Sequence, residues 1–183
     1  MLTLSKIIEE ADVRVPNAFD NPQKVDWLNE INVQFFDVVK MPRTHLFNGV
    51  STVGQYTLSS GVRSKNIDKV MIGNMVYQSM QFENVLPGRS FWTFDDSTYQ
   101  LSVSPAPIES AAGIVRYFQR ATTTFVSGTL TAVPDAPDEY HWVYILGLCE
   151  RIANAQEDLS KANNYANEYL ANLNIAQQNF ANR

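Results

Sequence analysis

The sequence predicts an α+β protein: a helical bundle of two N-terminal and two C-terminal helices with an inserted antiparallel β-domain. Three observations carry that reading. Apolar residues recur at three- and four-residue steps near both ends of the chain. Between Gly49 and Val133 they alternate instead, and turn residues punctuate that stretch at short intervals. No internal repeat or low-complexity linker divides the 183 residues. The expectation is therefore a single domain over 1–183, with helical parts at about 1–45 and 137–183 and the β-insertion at about 50–133.

Leu2, Leu4, Ile7, Ile8 and Ala11 share one helical face, and the stretch from Asp12 to Asn21, with Pro16, reads as the loop that follows. Pro22 suits a first-turn position. From there Val25, Leu28, Ile31, Phe35, Val38 and Val39 continue a second helix until Met41-Pro42 stops it. Trp27 and Phe36 widen its apolar stripe, which suggests contacts on two sides. His45 falls in the Met-Pro-Arg-Thr-His segment that follows, read as a loop.

In VMIGNMVYQ the pair Gly73-Asn74 separates two apolar runs and reads as a tight hairpin turn. A second hairpin is expected in RSFWTFDDSTYQLSVS, turning at Asp95-Asp96-Ser97, with Pro87-Gly88 upstream as a reverse turn. Pro105-Ala106-Pro107 then breaks the sheet edge. GIVRYFQR supplies another strand, with Val115, Tyr117 and Gln119 on one face and Ile114, Arg116 and Phe118 on the other.

Helical spacing returns after Pro137. Asp138 and Glu139 sit in a first turn that favours negative charge, and Asp135 or Asp138 is placed to cap it. The helix that follows carries Tyr140, Trp142, Val143, Tyr144, Ile145, Leu146, Leu148, Cys149 and Ile152 around most of its circumference, a pattern that requires cover on every side. A last helix from about Ser160 places Ala162, Tyr165, Ala166, Tyr169, Leu170, Leu173, Ala176 and Phe180 in one stripe.

Fourteen Lys plus Arg against nineteen Asp plus Glu give a formal charge of −5, which argues against a protein that holds nucleic acid by neutralising phosphates. The lone Cys149 cannot form an intramolecular disulfide and suits a reducing cytoplasm. The opening MLTLSKIIEEADVRV lacks the basic start and apolar run of a signal peptide, and no uncharged apolar run reaches the roughly eighteen residues a bilayer span needs.

Chemistry finds little support. His141 and Cys149 lie two helical turns apart, roughly 12 Å, too far for a hydrogen-bonded dyad. Glu9-Glu10, Asp95-Asp96, Asp138-Glu139 and Glu157-Asp158 are each adjacent in sequence, so their side chains point apart. Two histidines and one cysteine offer no zinc spacing, DDS lacks the further oxygens of a calcium loop, and no phosphate-cradling glycine motif occurs. No cofactor or metal is implied. Arg116 and Arg120, interleaved with aromatics, are the one basic segment that resembles a nucleic-acid platform.

The last helix is unusual in its polar face. From Ser160 onward the only charges are Lys161, Glu168 and Arg183, while amides abound: Asn163, Asn164, Asn167, Asn172, Asn174, Gln177, Gln178, Asn179 and Asn182. A solvated helix favours Glu and Lys, so amides there suggest contact with other protein surfaces without the burial of charge. The candidate protein-interface residues are Tyr140, Trp142, Tyr144, Asn163, Asn167, Tyr169, Asn174, Gln178 and Phe180.

With DWLNEINVQFF, PGRSFWTFDDSTYQLSVSPAP and PDAPDEYHWVYILGLCERIANAQEDLSKANNYANEYL in this order, most of the chain resembles the head–tail adaptor, or connector, proteins of tailed bacteriophages. The resemblance implies a structural virion protein with no catalytic residues. It implies a homo-oligomeric ring, commonly dodecameric, below the portal protein at the virion neck, assembled in the host cytoplasm and not in a membrane. Such a ring joins head to tail, meets the next neck or tail protein and extends the DNA channel without sequence-specific binding. Asp95 and Asp96 are then candidates for lumen or ring contacts, and the last helix for contact with the portal.

Other readings remain. A tail-completion or tail-tube-related structural protein would be more β-dominated. A small cytoplasmic cysteine hydrolase would use Cys149 with His45 or His141, and a nucleic-acid module would use Arg116 and Arg120.

Overall fold

Three of the four helices begin where a short polar side chain accepts an otherwise orphaned backbone N–H. In the computed structural model, which describes residues 1–80 and 89–181, α1 spans Leu4–Arg14, α2 Asn21–Val39, α3 His141–Ala155 and α4 Leu159–Ala181. Thr3 accepts from the Lys6 N–H, Asp20 from Gln23 at 3.0 Å, and Asp158 from Lys161 at 3.1 Å. Pro22 sits in the first turn of α2, as its missing N–H requires. The exception is α3, which follows a 3-10 turn at Asp138–Tyr140 and has no side-chain cap. The expected capping by Asp135 or Asp138 is therefore corrected. Asp135 is engaged by the Thr122-Thr123 segment, and Asp138 lies 3.3 Å from the terminal amine of Met1.

The chain forms two compact units, one from Met1–Met41 with Arg120–Arg183, the other from Pro42–Gln119. In the helical unit α3 packs against α1, α2 and α4, and α2 also packs against α4. Its core joins Leu4, Ile7, Leu28, Ile31 and Phe35 to Tyr144, Ile145, Leu148, Ile152 and Leu173. Apart from Trp142, the apolar circumference of α3 is thus covered by the chain's own helices. Gly147 permits the approach: a Cβ there would stand 3.0 Å from Ile31 and 3.1 Å from the Tyr169 ring.

Among the described residues the second unit holds seven strands: β1 Pro42–Gly49, β2 Gln55–Thr57, β3 Ile67–Ile72, β4 Met75–Ser79, β5 Phe91–Asp95, β6 Gln100–Ser104 and β7 Ala111–Phe118. Their order is β1-β7-β3-β4-β5-β6-β2. The β3–β4 turn falls at Gly73-Asn74, where Gly73 takes φ +56°, and the β5–β6 turn contains Asp96. Val70, Ile72, Tyr77, Trp92, Leu101, Val103 and Val115 form its core. Phe47 lies over Gly113, its register partner, where any Cβ would collide with the ring.

Three expectations change. The Met-Pro-Arg-Thr-His segment is not a loop: residues 42–49 pair antiparallel with β7 along its full length, giving that strand a second neighbour. The sheet is mixed, because β4 and β5 pair in parallel at Gln78↔Phe91 and Ser79↔Trp92. A tight turn enforces antiparallel pairing, and residues 80–90 separate these two strands. Finally, the last strand ends at Phe118, and residues 120–136 belong to the helical unit without a strand of their own. The reverse turn expected at Pro87-Gly88 and the terminal Asn182 and Arg183 lie outside the described residues.

Candidate functional site

The residues that chemistry would need are held in structural roles. Cys149 is fully buried, its Sγ 4.0 Å from the Ala11 carbonyl, and burial pushes the thiol up to about 12, so a thiolate is not populated near neutrality. His141 is equally buried. Its Nδ1 accepts the Leu2 N–H at 3.0 Å and its Nε2 faces the Ala136 carbonyl at 2.9 Å, which fits the tautomer protonated on Nε2. Both ring nitrogens are used in anchoring the N-terminus and the 120–136 segment. His45 is on β1 in the other unit.

Asp95 and Asp96 build a turn. The Ser97 hydroxyl and N–H and the Thr98 hydroxyl hold the exposed Asp95 carboxyl down at about 2. Asp96 is lowered by the Ser64 hydroxyl and N–H, at 2.6 and 2.8 Å, while Arg63 donates to the Asp96 carbonyl and stacks over Tyr99. Both carboxylates stay exposed and charged, but their oxygens are already occupied by local donors.

Among the interface candidates on α3 and α4 and just before them, the structure separates two groups. Tyr144 and Tyr169 are core residues. Tyr144 donates to Asn32 at 2.7 Å, Tyr169 to Gln34 at 3.1 Å, and burial pushes both phenols well above their ordinary range. The chain's own packing covers them, which corrects their place at a surface. Tyr140 and Phe180 are half-buried against one another, with ring centroids 5.8 Å apart. Trp142 is 41% exposed beneath the Arg14 guanidinium, 4.5 Å from the ring centroid. Asn163, Asn167, Asn174 and Gln178 are exposed, and their side chains bond to no other described residue. With Leu170 and Ile175, both more than half exposed, they give α4 a long outer face carrying only Lys161 and Glu168 as charges.

Sequence reasoning missed the polar network, built around the buried Asn32 and the half-buried Asp135, that secures 120–136. The Asp135 carboxylate accepts from the N–H and hydroxyl groups of Thr122 and Thr123 and from Asn32. Burial alone would raise its pKa, yet the bonds from Thr123, Asn32 and Thr122 hold it below its ordinary value. Asn29 pairs both ways with the Phe125 backbone. The signal available was two asparagines on the buried side of α2, which look like ordinary polar positions until a partner segment far along the chain is placed.

The Arg116–Arg120 platform does not form. The strand stops at Phe118, and Arg116 and Arg120 belong to different units. Among the described residues no group of His, Cys, Asp and Glu is placed to hold a metal, and no helix is long and apolar enough to cross a membrane. Residues 2–183 match the model of one family, described as SU10 adaptor protein. No curated protein matches the chain.

Proposed function

The chain belongs to the SU10 adaptor protein family, a family of bacteriophage structural adaptors, and from that premise we propose that it forms a ring below the portal, joining head to tail at the virion neck. In this reading the whole chain, both units together, serves as one adaptor. The ring is dodecameric, meets the next neck or tail protein on its far side, and extends the DNA channel. The family match over nearly the full length carries the proposal. Two physical features support it. The outer face of α4 bears amides and exposed Leu170 and Ile175 with little charge, a composition that buries against protein at low desolvation cost. The net charge of −5 would give twelve copies about −60, a balance that lets DNA pass without gripping its phosphates. Asp95 and Asp96, exposed at the tip of the β5–β6 turn, are candidates for lumen or ring contacts.

The test is the mass of the protein alone and mixed with its portal, measured by native mass spectrometry. A ring of many copies on the portal is the expected result. A chain that stays monomeric and unattached in the mixture overturns the proposal.

A further inference from the structure

An antiparallel sheet with one face on its core ordinarily presents polar side chains on the other. One row on the outer face of this sheet does not. Leu46 on β1, Ile114 on β7, Met71 on β3 and Val76 on β4 are successive register partners, so they form one row across four adjacent strands. Leu46 is 70% and Val76 47% exposed, and the two between them are half-buried. At strand spacing the row is about 14 Å long. One step along the same face, Lys69 and Arg116 are also register partners. Like charges placed opposite one another are unfavourable, and neither forms an ion pair with a described residue. An apolar row thus runs beside a basic pair that no described acidic residue compensates.

Its complement in charge is on the same chain. Asp26, Glu30, Val33 and Asp37 follow one another at steps of four, three and four along the exposed side of α2. That spacing puts all four within one narrow stripe, about 16 Å long at helical rise. Val33 is 53% exposed and flanked by acid, and among the described residues only Glu30 of the three acids has a basic partner, Arg151 at 3.6 Å. A shallow recess lined by Asn29, Glu30, Val33, Gln34 and Asp37 opens there.

We infer that the outer sheet face of one copy docks the α2 stripe of a second copy, with Val33 against the Leu46–Val76 row and Asp26 and Asp37 toward Lys69 and Arg116. This deepens the ring reading and rests on it. Because the two surfaces differ, the contact is head-to-tail, the kind that closes into a ring rather than stopping at a dimer.

The experiment measures self-association of the full chain, alone and with the portal, by sedimentation and native mass. One variant carries Lys69→Glu with Arg116→Glu, a second Asp26→Lys with Asp37→Lys, and a third combines all four. Each single-sided reversal is expected to weaken assembly about tenfold or more, and the combined exchange to restore it. Leu46→Ser, a neutral truncation at an exposed site, should weaken it in the same direction, and melting curves matching the parent confirm that each fold is kept. If the parent assembles while the reversals change nothing, or the exchange fails to restore assembly, the inference falls and the ring stands. A parent that never assembles removes both. Loss of salt-sensitive DNA binding in the Lys69→Glu, Arg116→Glu variant, without loss of assembly, would assign the basic pair to phosphates and overturn the inference.

Discussion

Lys24, Asn32 and His141 are buried in the helical unit, each with polar partners, whereas the described core of the sheet unit holds only apolar and aromatic side chains. The difference follows from where each kind of element keeps its backbone hydrogen bonds. A helix satisfies its backbone internally, so only side chains can determine how it meets its neighbours. Asn32 to Asp135 and Leu2 to His141 join the beginning of the chain to its last third and set those meetings. Strands are ordered by their own backbone ladders, and the sheet core is left mainly to packing, with the Tyr56 and Tyr77 hydroxyls donating to the Val53 and Pro105 carbonyls.

The largest expected effect tests the polar side of this contrast. Lys24 is 4% exposed and its ammonium lies 2.8 Å from Asp12. Asp12→Ala strands a buried cation and should cost about 3 kcal/mol in urea unfolding, whereas Lys24→Met, which removes the charge along with its need, should stay within about 1 kcal/mol of the parent. Equal losses would show that the pair itself stabilises the helices. Next comes the packing side. Gly113→Val drives a branched side chain into the Phe47 ring and should cost about 2 kcal/mol. Hydrogen exchange should locate that loss in β1 and β7; faster exchange in α3 as well would break the separation into two independently packed units.

The smallest effect is a pH dependence. Asp135 has a lowered folded pKa, so its contribution is present above the unfolded carboxylate value of about 4 and is lost as pH falls through the folded value. Urea midpoints of the parent should therefore fall on acidification below about pH 4, and Asp135→Asn should flatten that part of the profile. An unchanged slope in the variant would assign the acid sensitivity to other carboxylates.

Where a feature depends on near neighbours in the chain it was legible. The helical period placed α1, α2 and α4 within a few residues, Gly73-Asn74 announced its hairpin, and Asp95-Asp96 read as a turn before its hydrogen bonds were visible. The absence of an internal Cys149–His141 dyad followed from helical rise. Where a feature depends on a distant partner it was not. The Met-Pro-Arg-Thr-His segment reads as a loop because Pro42 ends a helix; it belongs to the strand at residues 42–49 because β7 offers them an edge. The 120–136 segment resembles a continuation of the sheet, yet Asp135, Asn32 and Asn29 tie it to α2.

The apolar circumference of α3 shows the boundary between the two kinds of knowledge. Composition alone determined that most of this helix is covered, because exposing such a surface costs on the order of 25 cal/mol per Å². Which surfaces cover it was decided by tertiary structure. Burial is a property of a residue, but its partner is a property of the path by which remote segments return: α1, α2 and α4 all pack against α3, and α2 supplies the Asn32 that accepts from Tyr144.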